Sequence, residues 1–192
     1  MFKSICKRGL LVGALLLAVP AASYGQVFHT VRDLLSAQFS KSDRVSFVKV
    51  AADSKARARI EKRLGRKLAA ADYTFYVAKT GERVDGYALF DQEKGQHEPI
   101  SFATFFDAAG SITRVEVVAY REPYGDGIRA ERFRKQFIGR KASSGFRADA
   151  DIDVISGATI SSRSLCKGVK RASVLLDEAV LRANDKSVLA AR

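Results

Sequence analysis

Tyr73-Thr-Phe-Tyr-Val-Ala-Lys79, followed by Thr80-Gly81-Glu82 and then by Arg83-Val-Asp-Gly-Tyr-Ala-Leu-Phe-Asp91, decides the fold class of this chain. The first and last segments are rich in aromatic and β-branched residues, which suit a pleated, half-buried surface. Thr80-Gly81-Glu82 supplies the turn between them, so the stretch reads as a β-hairpin. Working toward the C-terminus, a loop with Gly95, His97 and Pro99 leads to a second strand pair, Ile100 to Asp107 and Ile112 to Tyr120, folded around Ala109-Gly110. Thr113-Arg-Val-Glu-Val117 alternates polar and apolar residues, as a sheet with one wet face requires.

Before the hairpin, Val45, Phe47, Val48 and Val50 predict a short strand. Phe28, Val31, Leu34, Leu35 and Phe39 recur at helical spacing and predict an amphipathic helix over Val27 to Phe39. Ser54 can cap a very basic helix to about Leu64, with Gly65 as its stop. After Tyr120, Arg121-Glu-Pro-Tyr-Gly-Asp-Gly127 is a turn-rich loop, because Pro fixes φ and Gly permits positive φ. Ile128 to Ile138 reads as helical up to Gly139, and a last helix runs from about Ser162 to Ala183 with Leu165, Val169, Ala172, Leu176 and Val180 on one face. The sum is an α+β domain, an antiparallel sheet flanked by helices.

The 192 residues give room for one domain with terminal extensions, and 47% hydrophobic content permits a sizeable core. Residues 1–25 read as a signal peptide. Lys3, Lys7 and Arg8 precede an apolar stretch from Gly9 to Ala22, and Ser23 and Gly25 offer small residues before Gln26. The stretch falls short of the roughly 20 residues that span a bilayer, and Pro20 lies near its end, which favours a cleaved signal over an N-terminal anchor. The expected location is periplasmic or extracytoplasmic, with membrane association. Residues 27–72 form an N-terminal extension, 73–183 the main domain and 184–192 a tail.

The net charge is +12, and loss of the three signal-peptide cations leaves +9. The basic residues are dispersed among acids and no aromatic-plus-Gly RNA motif accompanies them, so nucleic acid is not an expected partner. A basic surface suited to anionic partners or a membrane face is the better reading. Cys166 would be the single cysteine of the exported chain and is expected in the core. No Ser/His/Asp set, metal-spaced cluster or nucleotide-binding Gly loop is present, and two histidines, His29 and His97, offer little for a metal or haem site.

The chemistry concentrates in Asp153-Val-Ile-Ser-Gly-Ala-Thr-Ile-Ser161. Gly157-Ala158 lets the backbone bring a bulky group close to the Thr159 hydroxyl. Thr159 stands immediately before the predicted last helix, whose first turn holds Ser161, Ser162 and Ser164. Unpaired N–H groups and the dipole of a helix start favour an anion there, with Arg163 near enough in sequence to add charge. The same residues also serve as an ordinary N-cap and tight helix entry.

The run Asp153-x-x-Ser156-Gly157-Ala158-Thr159-x-Ser161 resembles the flavinylation motif of the FMN-binding domain family, which includes subunits of sodium-translocating NADH:quinone reductase and Rnf-type complexes. The likeness covers about Val77 to Val180, with Gly86-Tyr87, Pro99-Ile100, Ala109-Gly110, Glu122 to Gly127 and Phe133 to Gly139 in the family's order. Arg121-Glu122-Pro123-Tyr124-Gly125 departs from the family's Glu-Thr-Pro-Gly, which leaves contacts from that loop to the flavin ring open. The resemblance implies covalent FMN, esterified through its phosphate to Thr159 by a flavin transferase that uses FAD. Asp153, Ser156, Gly157, Ala158 and Ser161 belong to the same motif, with Asp153, Ser156, Gly157 and Ala158 read as transferase-recognition residues. It also implies an electron carrier between membrane-associated donor and acceptor proteins, and no stand-alone catalytic residues. His97 and Tyr124 could lie beside a flavin ring, but a satisfied loop histidine and ordinary turn packing are the expected roles. The alternatives are a module that binds FMN or another anion noncovalently, and a structural accessory of a membrane redox complex.

Overall fold

A computed structural model describes residues 26–51 and 54–182. The signal-peptide reading of residues 1–25 and the tail 184–192 fall outside them.

Six strands form one antiparallel sheet: β1 (Gln26–Val27), β2 (Arg44–Ala51), β3 (Asp72–Thr80), β4 (Arg83–Lys94), β5 (Pro99–Asp107) and β6 (Ile112–Tyr120), in the order β1-β6-β5-β4-β3-β2. The four central strands are consecutive hairpins, as the alternating pattern predicts. The helices are α1 (Val31–Gln38), α2 (Ser54–Leu64), α3 (Glu131–Arg134) and α4 (Thr159–Leu176). The fold is α+β, and among the described residues no helix is long and apolar enough to cross a membrane.

Because side chains alternate across a sheet, β3 to β6 build two cores. Phe75, Val77, Tyr87, Leu89, Ile100, Phe102, Phe106, Val115 and Val117 belong to the larger core, which Leu165, Val169 and Ala172 of α4 complete. Ala78, Ala88, Ala103 and Phe105 alternate with them and meet Leu34 and Phe39 at α1. Each fully buried Phe or Leu contributes roughly 1.5–3 kcal/mol of hydrophobic transfer, so α4 is fixed chiefly by its apolar face. An internal ion-pair cluster adds direction: Arg171 of α4, itself buried, meets Asp91 at 2.8 Å and Glu93 at 2.6 Å, and Arg66 meets Glu93 at 2.7 Å.

Three expected helices differ in extent. Val27 belongs to β1, whose residues pair with Tyr120 and Ala119, so the first helix shortens to α1. Thr30 starts it by accepting a hydrogen bond from the Asp33 N–H, and the Arg129 guanidinium stacks on the Phe28 ring at 3.5 Å. Helical spacing of apolar residues is blind to both local events. The segment over Ile128 to Ile138 is broken because Ala130 is extended (φ −58°, ψ 131°): 3₁₀ turns at Asp126–Arg129 and Lys135–Phe137 flank the single turn of α3. The last helix starts at Thr159, three residues before the expected Ser162, and widens into a π turn over Asp177–Leu181. There Glu178 is buried and held by Arg59 at 2.9 Å and Arg63 at 2.9 Å, which ties the end of α4 to α2.

Candidate functional site

Local backbone geometry brings the motif to the start of α4. Ala158 N–H donates to Ile155 O and Gly157 takes φ +77°, a conformation that L side chains rarely adopt. This turn delivers Thr159 as the first helical residue rather than the residue before the helix. Ser162 N–H already donates to Ala158 O, and the Ser162 hydroxyl accepts from Ile155 N–H at 3.3 Å, closing the turn from the inside. Among the described residues no side chain caps the helix, so its first N–H groups are left for an acceptor from outside.

Gly157, Ala158, Thr159 and Ser161 of the motif line a single cleft of about 240 Å³ with Gln96, Glu122, Tyr124, Gly125 and Ile160. Ala158 is buried, Thr159 half-buried, and Ile160 exposed at the mouth. Ser156 is exposed beside the cleft without lining it. Asp153 is exposed as well, and its backbone is held by Gln136, whose Oε1 accepts from Asp153 N–H at 2.8 Å while its Nε2 donates to Asp153 O at 3.1 Å. Arg163 does not line the cleft with Thr159 and instead meets Asp149 at 3.0 Å.

The opposite wall comes from the loop after β6. Tyr120 donates its hydroxyl to Tyr124 O at 2.5 Å, and since that carbonyl can only accept, the Ser161 hydroxyl, 2.7 Å away, donates to the Tyr120 oxygen. Burial raises the Tyr120 pKa above its ordinary value against the opposing hydrogen bond from Ser161, so the donor proton stays on. Gly125 sits with φ +91° where a Cβ would come 2.7 Å from the Tyr120 hydroxyl and 2.9 Å from Ser161 Oγ. The loop can approach the helix start only without a side chain there.

Glu122 fixes the third side. Its carboxylate, 9% exposed, accepts from His97 N–H at 2.7 Å and Glu98 N–H at 3.0 Å. Burial pushes its pKa up, but the backbone N–H groups of Glu98, His97 and Gln96 outweigh this and hold it below the usual Glu value. Glu122 therefore stays ionised and staples the loop carrying Gln96 to the cleft. His97 contributes its backbone, while its ring is exposed. Tyr124, expected to pack in its turn, is 84% exposed with its residue on the cleft wall. Cys166 is buried as expected, its thiol pKa pushed up to about 12 by burial.

A phosphate ester fits this donor set. The uncapped N–H groups and dipole of α4 favour the anion, open space surrounds the position where a Cβ of Gly157 would stand, and Tyr124 and Ile160 offer exposed apolar surface to a planar ring. Tyr120, Gln96 and Ile160 were not singled out by sequence reasoning. Only the Tyr120 and Gln96 positions next to turn-rich segments hinted at them.

Residues 95–174 match the family model described as FMN-binding domain. A component of the proton-translocating ferredoxin:NAD(+) oxidoreductase complex of Clostridium ljungdahlii is 29% identical over 105 residues, which is 51% of this chain and 57% of that protein. The chain thus spans little more than half the length of this curated relative. Among solved structures, NqrC of Shewanella oneidensis aligns over 72% of this chain and 80% of its own, with TM-score 0.48 and 16% identity.

Proposed function

Since residues 95–174 belong to the FMN-binding domain family, we propose that this chain is an exported flavoprotein that carries FMN on Thr159 through a phosphoester and relays electrons between membrane-associated redox partners. The observation that carries the proposal is the position of Thr159: first residue of an uncapped helix, half-buried in a cleft entered through a left-handed glycine. In the attachment reaction the Thr159 oxygen forms a bond to the flavin-bearing phosphorus of FAD, the pyrophosphate bond breaks, AMP leaves, and the hydroxyl proton is released. An FAD-dependent flavin transferase is the partner for this step, with Asp153, Ser156, Gly157 and Ala158 as its recognition residues. The exposure of Asp153, Ser156 and Gly157 supports that reading.

Bound FMN supplies one- and two-electron redox chemistry. The chain's own residues hold and orient it: the first turn of α4 receives the phosphate, Ser161 and Tyr120 fix the loop that bears Tyr124, and Glu122 fixes the loop that bears Gln96. No general acid or base is required of them. The relationship to a component of a ferredoxin:NAD(+) oxidoreductase complex supports a membrane redox assembly as the working context, on the extracytoplasmic side if residues 1–25 direct export.

The test is production with a flavin transferase followed by a denaturing gel read for flavin fluorescence. A fluorescent band for the parent chain and none for Thr159→Val is the expected result. An equally bright band in Thr159→Val rejects Thr159 as the attachment point. An uncapped helix start would also hold a free phosphate, which favours noncovalent FMN as the second reading. In that case denaturation and ultrafiltration would release all flavin into the filtrate.

A further inference from the structure

A second cleft, of about 620 Å³, lies away from the Thr159 cleft, between the C-terminal end of α2, the loop 144–151 and the outer face of α4. Its apolar lining comes from Leu64, Phe146 and Cys166. Arg66, Arg147, Arg163, Lys167 and Lys170 surround it, and among the described residues Asp151 is the one acidic member of the lining. Asp151 is engaged by the backbone N–H of Arg147 at 2.8 Å, and Arg66 and Arg163 are committed to Glu93 and Asp149. The side chains of Lys167 and Lys170 have no hydrogen-bond or ion-pair partner among the described residues, so the cleft keeps uncompensated positive charge. With Arg163 they stand at i, i+4 and i+7 on α4 and share one face of the helix.

The wall of this cleft is built in rather than a gap under a loose loop. Arg140 donates to Gly145 O at 2.7 Å and to Asp151 O at 2.6 Å, clamping both ends of the loop, and Phe146 is buried between them. An apolar interior under a cationic rim matches a ligand that joins an anion to a hydrocarbon body. A soluble inorganic anion would leave the apolar lining unused, and a neutral apolar ligand would leave the two lysines unused.

We propose that this cleft is a seat for the head group and adjoining glycerol–acyl region of an anionic phospholipid, docking α4 and the end of α2 against a membrane surface. Exposed Lys62 of the neighbouring segment extends the positive surface around it. The seat holds the helix that begins at Thr159 beside the bilayer, but its existence does not depend on flavin at Thr159.

The test is co-sedimentation of residues 26–192, which include every described element but not the apolar stretch Gly9 to Ala22. The vesicles are phosphatidylcholine alone, or phosphatidylcholine with roughly a third replaced by phosphatidylglycerol, where each nearby basic residue adds measurable attraction. The parent should pellet with the anionic vesicles only. The double variant Lys167→Glu/Lys170→Glu should bind at least about tenfold more weakly, and Lys41→Glu/Lys49→Glu, with the same charge change outside the cleft, should bind much more tightly than that variant. Circular dichroism checks that both variants are folded. Equal weakening by the two double variants would reduce the effect to diffuse charge and overturn the seat. Failure of the parent to bind anionic vesicles would overturn it too, as would binding of inorganic phosphate in the cleft without vesicle binding. Flavin fluorescence of Thr159 is indifferent to all three outcomes, so this proposal and the flavin proposal fail separately.

Discussion

Glu122 shows how one buried side chain organises a site it need not act in. Its carboxylate accepts backbone N–H groups 24 and 25 residues away in sequence, and a Cβ on Gly95 would collide with it. Glu122→Ala should leave those N–H groups without an acceptor and cost about 1–3 kcal/mol. A lower Tm together with faster proteolysis around Gly95 to Glu98 checks this, and an unchanged Tm would mean the loop is held by something else. The motif from Asp153 to Ser161 is legible in the sequence because its residues are contiguous. Tyr120 and Ser161 meet across 41 residues, and no local pattern marks such a pair. Arg163 follows the same rule: proximity in sequence points it at the phosphate, whereas the fold pairs it with Asp149.

At the scale of elements, α4 approaches β5 more closely than an ordinary helix surface allows. A Cβ at Gly168 would fall inside van der Waals contact of the Phe102 ring. Although Ala is the better helix former, Gly168→Ala should destabilise by about 1–3 kcal/mol through overpacking, measurable by urea denaturation; a more stable variant would show that the helix and strand can separate freely. On β5 itself, Thr104 is fully buried and, among the described residues, its hydroxyl has no hydrogen-bond partner. Thr104→Val should therefore raise stability by about 1 kcal/mol, and a loss in the same denaturation assay would reveal a partner for the hydroxyl. The strands were legible because a period of two, interrupted by turn residues, is a local signal. The helices near Val27 and Ile128 were less so, since their limits depend on pairing of β1 with β6 and on the extended backbone at Ala130.

Across the whole molecule, ion pairs tie α2 and α4 to the sheet and to each other. Burial raises the pKa of Glu93 and of Glu178, but Arg66 with Arg171, and Arg59 with Arg63, outweigh it and leave both carboxyls below the usual Glu value. A carboxyl depressed in the folded state stabilises above its unfolded pKa, about 4.3 for Glu. That contribution is lost as pH falls through the lower folded value. The contribution of these two carboxyls should thus be flat from neutral pH down to about 5 and fall steeply below about 4.3, and Glu178→Gln should flatten the acid limb in thermal melts. An unaltered acid limb in that variant would remove Glu178 from the account. The same basic character that these pairs only partly neutralise was legible as net charge, but its focus at Lys167 and Lys170 required the fold.

The central claim is that Thr159 carries FMN, and the most direct measurement is the intact mass of the protein recovered from cells that also produce a flavin transferase, with peptide mapping of the adduct. The expected result is an increase equal to FMN less one water, located on the peptide containing Asp153 to Ser161 and absent from Thr159→Val. An unmodified mass from flavin-replete cells with active transferase, or an adduct on any other residue, would contradict it.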